Sequence, residues 1–155
     1  MPTLTHRLPA FVILLGALLA AGCSNQPPLA EVSGKVLLNG QPLKNVRVDF
    51  QPDPDKGTTG KGSTGVTDDN GNFTLKYEGT TPGAIVGHHR VAVTDLDVFG
   101  NVFVGRGDYR TEDPKGPKET PKKARFGANY SDLAQTPFKQ EVKPGMGPVT
   151  LELKK

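Results

Sequence analysis

Along most of the chain, apolar and polar residues alternate with a period of two. In the segment 45–50, Val46, Val48 and Phe50 fall on one face and polar residues on the other, and the segment 32–38 follows a similar pattern. Because successive side chains of a strand point to opposite faces of a sheet, this alternation predicts β-strands with one buried and one exposed face. No segment keeps the 3.6-residue period of an amphipathic helix.

Turn signals separate the predicted strands. Asn39-Gly40 predicts a β-hairpin, because both residues accept a positive φ angle. Residues 68–72 predict another tight turn, in which Gly71 takes the positive φ. The counts of glycine, 19, and proline, 14, also favour turns over long helices. Besides the two strands above, five more are predicted, at 63–67, 73–77, 88–94, 138–142 and 149–153.

Seven short strands joined by turns predict one all-β domain over residues 31–155, a seven- to eight-stranded antiparallel β-sandwich. A region at about 96–128 breaks the alternation. Within it, residues 98–104 predict an extra hairpin with Gly100-Asn101 at its tip. Residues 110–125 are rich in Lys, Arg and Pro and contain almost nothing apolar, so they predict an exposed loop or a disordered segment.

The N-terminus follows a different pattern. His6 and Arg7 precede an uninterrupted apolar run over residues 8–19. A run of about 12 residues suits the apolar region of an export signal and is too short for a membrane-spanning anchor, which needs about 20. Small residues at 20–22 then lead directly to Cys23, the only cysteine of the chain.

Small residues let an extended backbone enter a peptidase cleft, and the thiol of Cys23 offers a nucleophile for acylation. This arrangement predicts a bacterial lipoprotein signal peptide at 1–22, a lipid such as palmitate on Cys23, and a polar, Pro-rich lipidated tether at 23–30. The protein would then be anchored to a membrane of the cell envelope, either the outer membrane or the periplasmic face of the inner membrane. The alternatives are an ordinary signal peptide cut near Ala21 and an uncleaved anchor.

Charge and composition argue against a nucleic-acid partner. The formal net charge is only +3, the chain has no Trp, and aromatic residues are 6% of the total. A nucleic-acid-binding protein would concentrate basic residues on one face and add aromatic or arginine contacts to bases. No cofactor is predicted.

Two features invite a chemical interpretation, and neither predicts a catalytic residue or a metal ligand. His88 and His89 are adjacent in a predicted strand, so they point to opposite faces and do not easily share one metal. The acidic turn that begins with Asp68-Asp69 does not fit a calcium loop of the EF-hand kind, because that spacing places Val66 at the first ligand position. A weak calcium site in this turn stays an open alternative.

The order of these motifs resembles the carboxypeptidase regulatory-like, or transthyretin-like, domain of small bacterial envelope lipoproteins. The resemblance is carried by the motif G-x-V-x-x-N-G-x-P-L at 34–43, the motif T-D-x-x-G-x-F at 67–73, and Gly83-Ala84 followed by the strand at 88–94. The segments 129–132 and 141–145 are similar to the tail of the family. These motifs specify turns and buried strand positions, and none of them implies catalysis.

The resemblance implies a non-enzymatic binding or structural module of the cell envelope, with an envelope protein or a glycan as its expected partner. The expected contact surfaces are the edge strands and the 96–128 region, which would bind by strand addition or by loop contacts. The competing hypothesis is a hydrolase or metal-dependent enzyme that uses His88 or His89 together with the Asp68-Asp69 turn. That hypothesis requires the fold to bring these groups within hydrogen-bond reach, directly or through one water.

Overall fold

A computed structural model describes residues 26–99 and 123–155. In these residues the protein is mostly β-strand, arranged largely in antiparallel sheets, with one short α-helix, so the predicted all-β class is confirmed. The predicted signal peptide and Cys23 lie outside the described residues. The elements are β1 Leu29–Ala30, β2 Ser33–Leu38, β3 Gln41–Pro42, β4 Val46–Pro52, β5 Ser63–Val66, β6 Asn72–Thr74, β7 Lys76–Tyr77, β8 Thr81–Pro82, β9 Ala84–Ile85, β10 Gly87–Asp95, α1 Leu96–Phe99, β11 Lys139–Val142 and β12 Val149–Leu153, with 3-10 turns at Pro54–Lys56 and Ala128–Tyr130.

The larger sheet has six strands in the order β11-β10-β4-β5-β7-β8. Its centre is the antiparallel pair of β10 and β4, whose register runs from His89 opposite Pro52 to Asp95 opposite Val46. The apolar side chains of β4 and β10 lie on the same face of the sheet. Phe50 and Val91, which pair across this ladder, are both fully buried. The alternation seen in the sequence of these two strands therefore marks the core.

The smaller sheet has four strands in the order β12-β2-β3, with β6 also paired to β2. Its β2 and β12 are parallel, from Val149 opposite Gly34 to Leu153 opposite Leu38, which differs from the antiparallel arrangement predicted throughout. The ladder can close because Gly34 has no side chain: a Cβ atom there would overlap the carbonyl oxygen of Val149 and lie 2.6 Å from Cζ of Phe73. The glycine thus admits both the neighbouring backbone and an aromatic ring.

The turn predicted at Asn39-Gly40 is confirmed, since both residues have positive φ angles of 50° and 79°. The hairpin expected between the predicted strands at 32–38 and 45–50 is wrong. The turn leads into the two-residue strand β3, which pairs with the end of β2, and not into β4. The reason is that β4 forms longer ladders in the other sheet, with seven residue pairs to β10 and four to β5.

The folded part of the chain begins earlier than the predicted domain boundary. Leu29 and Ala30 pair with Ile85 and Ala84, and the N–H of Val86 donates to the carbonyl oxygen of Pro28 at 2.9 Å. The last residues of the predicted tether at 23–30 are therefore strand residues fixed to the domain.

The region at about 96–128 is only partly described, because residues 100–122 lie outside the described ranges. Its beginning is the short helix α1, so the hairpin predicted at 98–104 is wrong for Val98 and Phe99 and untested beyond them. Asp95 starts the helix by accepting a hydrogen bond from the N–H of Asp97 at 3.1 Å, as an N-cap residue does. At the other side of the region, Phe126 is buried in the core.

The strands of the six-stranded sheet run between two ends of the domain. At the first, called here the Gly87 end, β10 begins at Gly87 opposite Val142 of β11. At the second, called the Asp95 end, β10 finishes opposite Val46. The turn at 68–72 belongs to the Asp95 end, because the N–H of Asn45 donates to the carbonyl oxygen of Thr67 in the adjoining loop.

Side chains from both larger sheets share one hydrophobic core, flanked by an aromatic row in which Tyr130 contacts Phe126 and Phe138 at ring-centroid distances of 6.0 Å and 5.5 Å. In the described part of the chain, no helix combines the length and the hydropathy needed to cross a lipid bilayer. The core comprises Ala30, Val32, Val36, Leu43, Val46, Val48, Phe50, Phe73, Leu75, Ala84, Val91, Val93, Phe126, Val142, Val149, Leu151 and Leu153.

Candidate functional site

A single arginine organises the Asp95 end. The Nε and Nη2 atoms of Arg125 donate to Oδ2 and Oδ1 of Asp95 at 2.9 Å and 2.6 Å, and the backbone N–H of Arg125 donates to the same carboxylate at 3.1 Å. The Asp95 side chain is 2% exposed and that of Arg125 is 25% exposed. This is a two-pronged, largely buried ion pair, the geometry that a planar guanidinium forms best.

The same guanidinium also binds the loop before β4. Its Nη1 donates to the carbonyl oxygen of Lys44 at 2.9 Å and lies 3.2 Å from Oδ2 of Asp97, and its Nη2 donates to the carbonyl oxygen of Asn45 at 3.2 Å. The side chain of Asn45 donates in turn to Oδ1 of Asp97 at 2.5 Å. We call these five residues, Lys44, Asn45, Asp95, Asp97 and Arg125, the Arg125 clasp.

The electrostatics of the clasp depend on the pairing. Burial by itself would raise the pKa of Asp95, but the hydrogen bonds from the side chain and backbone of Arg125 outweigh it and hold that pKa below its ordinary value. The hydrogen bond to Asp95 raises the pKa of Arg125. Both groups are therefore charged at neutral pH.

The Arg125 clasp joins the two points at which the 96–128 region leaves and rejoins the domain, called here its feet. The chain leaves β10 through Asp95 and α1, and it returns at Arg125, which binds Asp95 directly. Both ends of the 96–128 region therefore lie side by side at the Asp95 end of the domain. The basic stretch at 110–125 predicts an exposed loop that includes Arg125, and for this residue the prediction is wrong, because its charge is paired inside the domain.

The two histidines point to opposite faces of β10, as predicted. His88 is exposed, and its Nε2 lies 3.9 Å from a carboxylate oxygen of Glu141. His89 is 1% exposed, its ring packs 5.8 Å from that of Phe50, and its Nδ1 lies 3.1 Å from the carbonyl oxygen of Gly87. The Nε2 atom of His89 is buried without a hydrogen-bond partner among the described groups.

The acidic turn uses its carboxylate internally. Oδ1 of Asp68 accepts the backbone N–H groups of Asn70 and Asn72 at 2.9 Å and 2.8 Å, and Oδ2 accepts the side-chain amide of Asn72 at 3.2 Å. The backbone bond from Asn72 is the largest of the effects that lower the pKa of Asp68. Asp69 points elsewhere and pairs with Lys44 at 3.0 Å. The turn thus has the capping geometry expected of an Asx turn.

A second ion-pair group lies near the Gly87 end. Nη2 of Arg90 contacts Oδ1 of Asp53 at 2.9 Å and Oδ2 of Asp55 at 2.5 Å. Asp53 is 4% exposed and also caps the 3-10 turn by accepting the N–H of Asp55 at 3.3 Å. The hydrogen bond from Arg90 is the main cause that lowers the pKa of Asp53. These contacts hold the loop after β4 against β10.

The groups required by the enzyme hypothesis have separate partners. Among the hydrogen bonds and ion pairs of residues 26–99 and 123–155, none joins a histidine to Asp68 or Asp69. The same residues contain no group of three or more His, Cys, Asp or Glu side chains placed to hold a metal ion. The sequence does not reveal the roles of Asp95, Arg125 and Arg90, because a charged residue beside an apolar strand gives no sign that its partner lies far along the chain.

The buried His89 predicts a pH-dependent stability. Burial lowers its pKa below the ordinary 6.5, while the hydrogen bond to Gly87 opposes this only in part. Below about pH 6.5 the histidine is protonated in the unfolded chain and still neutral in the folded chain, so the free energy of unfolding should fall with acidification, at a slope of at most about 1.4 kcal/mol per pH unit until the lowered pKa is reached. Above that pH the effect disappears. Urea unfolding between pH 5 and 8 should show this slope in the native chain and a flatter curve in His89→Leu.

The matched control is His88→Gln, which removes the exposed neighbour on the same strand. It should keep the slope of the native chain. Equal slopes in His89→Leu and the native chain would contradict the assignment of this pH dependence to the buried ring.

Comparison with known proteins gives no further guide to the site: no protein-family model, no curated protein and no solved structure matches this chain.

Proposed function

We propose that this chain is a non-enzymatic lipoprotein of the bacterial cell envelope, held on a membrane by a lipid on Cys23 and binding a protein or glycan partner through its β-domain. The observation that carries the proposal is the position of Cys23. It is the only cysteine, it follows an apolar run and small residues, and it stands five positions before Pro28, where the described hydrogen bonds to the domain begin.

The contacts of the candidate chemical groups support a binding role over a catalytic one. His89 is packed in the core, Asp68 caps its own turn, and the charges of Asp95 and Arg125 satisfy each other. Groups used in this way stabilise the fold, and in residues 26–99 and 123–155 no hydrogen bond or ion pair brings a histidine to the acidic turn, as general acid–base catalysis by these groups would require.

We further propose that the domain is a β-sandwich of the transthyretin-like kind and that its resemblance to the carboxypeptidase regulatory-like family reflects that architecture. The hydrophobic core shared by the six-stranded and four-stranded sheets supports this assignment. In this assignment the sandwich is antiparallel except for the parallel pair of β2 and β12.

The contact surface proposed for the partner has two parts. The first is the set of edge strands, of which β8 and β11 border the six-stranded sheet and β12 borders the smaller one. A sheet edge offers backbone groups to which an extended segment can add as another strand. The second is the 96–128 region, whose two feet the Arg125 clasp holds together.

The lipid anchor is tested by intact mass and membrane partitioning of the native protein beside Cys23→Ala. We expect the native protein to carry the added acyl mass and to sediment with membranes, and the variant to lose both properties. Ser24→Ala is the matched control, because it changes the neighbouring residue and keeps the thiol. An unmodified, non-sedimenting native protein would contradict the proposal.

A further inference from the structure

The link between the proposed lipid and the domain is short. Pro28 accepts a hydrogen bond from Val86, and Leu29 and Ala30 are paired with β9, so the chain is fixed to the domain from Pro28 onward. Cys23 and Pro28 are five positions apart. Consecutive Cα atoms of an extended chain advance by at most about 3.6 Å, so the Cα of Cys23 lies within about 18 Å of the Cα of Pro28.

The fixed point of this link belongs to the Gly87 end. Ile85, the partner of Leu29, is separated from Gly87 by one residue. The loop after β4 packs at the same place, since Thr58 accepts the N–H of His88 at 2.8 Å and a Cβ on Gly60 would lie 2.6 Å from Ile85. The strand pair and this loop therefore form the surface that a short link would bring closest to a membrane.

The charges of this surface are balanced, so they do not attract it to anionic lipid headgroups. Its cations are offset by acids: Lys61 pairs with Glu78, and the two acids Asp53 and Asp55 balance Arg90, which they contact, and the exposed Lys56. An orientation on the bilayer would therefore come from the length of the link and would be the same on neutral and anionic membranes.

The opposite end of the domain lies well away from this point. From Gly87 to Asp95, β10 has nine residues. At about 3.3 Å per residue the two ends are separated by about 26 Å. The Arg125 clasp and both feet of the 96–128 region are at this second end.

We propose that the protein sits on its membrane with the Gly87 end toward the lipid headgroups and the Asp95 end, with the Arg125 clasp, turned toward partners in the surrounding compartment. This orientation rests on the lipid anchor of the proposed function. The surface that faces the bilayer consists of β1, β9 and the loop after β4, and the lipid on Cys23 holds it there.

The test is energy transfer from two single-cysteine labels to acceptors on lipid headgroups. Lipidated protein is reconstituted in phosphatidylcholine vesicles, and Lys56→Cys or Asn70→Cys provides the free thiol, because the thiol of Cys23 is occupied by lipid. Lys56 is exposed in the loop after β4, and Asn70 is exposed in the turn at the Asp95 end. Given the separation of about 26 Å, we expect about twofold or more greater transfer from the Lys56 label.

A ten-residue Gly/Ser insertion between Ser24 and Asn25 is the matched control, and it should reduce the difference between the two labels. Equal transfer from the two labels, or greater transfer from Asn70, would overturn the orientation while sedimentation with vesicles still upheld the anchor. Failure of the native protein to associate with vesicles would overturn both.

Discussion

The substitution Arg125→Met is expected to lower the free energy of unfolding by about 3 kcal/mol, because it leaves the carboxylate of Asp95 buried without its counter-charge. Methionine keeps most of the aliphatic length of the side chain and removes the guanidinium contacts to Asp95, Asp97 and two backbone carbonyls. Chemical unfolding at pH 7 measures the loss. The difference from the native chain should shrink toward pH 5, since burial raises the pKa of an unpaired Asp95 and the folded variant then binds a proton.

Two further variants separate the clasp from general effects of charge removal. Arg47→Met breaks the pair of Arg47 and Asp49 at 2.9 Å, in which both side chains are 31% exposed, and should cost at most about 1 kcal/mol. Arg125→Lys keeps the charge but loses the two-pronged geometry, so its cost should lie between the other two. A loss in Arg125→Met no larger than that in Arg47→Met would show that Asp95 does not depend on its partner.

The substitution Gly34→Ala is expected to be as damaging, with a loss of about 3 kcal/mol, the upper range for overpacking a well-packed site. A methyl group at this position would overlap the carbonyl oxygen of Val149 and the ring of Phe73. Relief requires β12 to move away from β2 or Phe73 to leave the core, and both contacts are buried. Urea unfolding measures the loss, and a lower midpoint with an unchanged slope would mark it as a stability effect.

Gly147→Ala is the control for this prediction. Gly147 lies in the connection between β11 and β12, and a Cβ there would meet nothing within 4 Å. The change should be neutral or slightly stabilising, because alanine restricts the unfolded chain more than glycine does. A neutral Gly34→Ala would mean that the parallel ladder adjusts without cost.

Strands whose two faces differ clearly were predictable from the sequence. In β4 the alternation of Val46, Val48 and Phe50 placed the buried face correctly, and the opposite orientations of His88 and His89 followed from the same period of two. The turn at Asn39-Gly40 was also predictable, because its geometry depends on two adjacent residues. Strand alternation and a two-residue turn depend only on neighbouring residues, so a short stretch of sequence is enough to predict them.

Pairing between distant segments was not predictable in the same way. Nothing near Asn39-Gly40 indicates that β4 belongs to the other sheet, because that choice depends on the ladders that β4 forms with the distant strands β10 and β5. Gly34 looked like one more position of an alternating strand, although its role comes from Val149. Likewise, Arg125 sits in a basic, Pro-rich stretch, and only the three-dimensional fold reveals the carboxylate of Asp95 as its partner.

The parallel ladder between β2 and β12 also sets the order in which the domain can be completed. It joins one of the first strands of the chain to the last, and the amide of Lys155 even reaches the side chain of Asn39 at 3.4 Å. During synthesis β2 emerges long before β12, so Val36 lacks the neighbouring core residues Leu151 and Leu153 until β12 has been made. Such non-local pairing is slow, because the conformational entropy of closing a long loop is lost before the new contacts stabilise the domain. The nascent domain therefore remains incomplete until β12 has been synthesised, a delay compatible with the export that we propose for this chain.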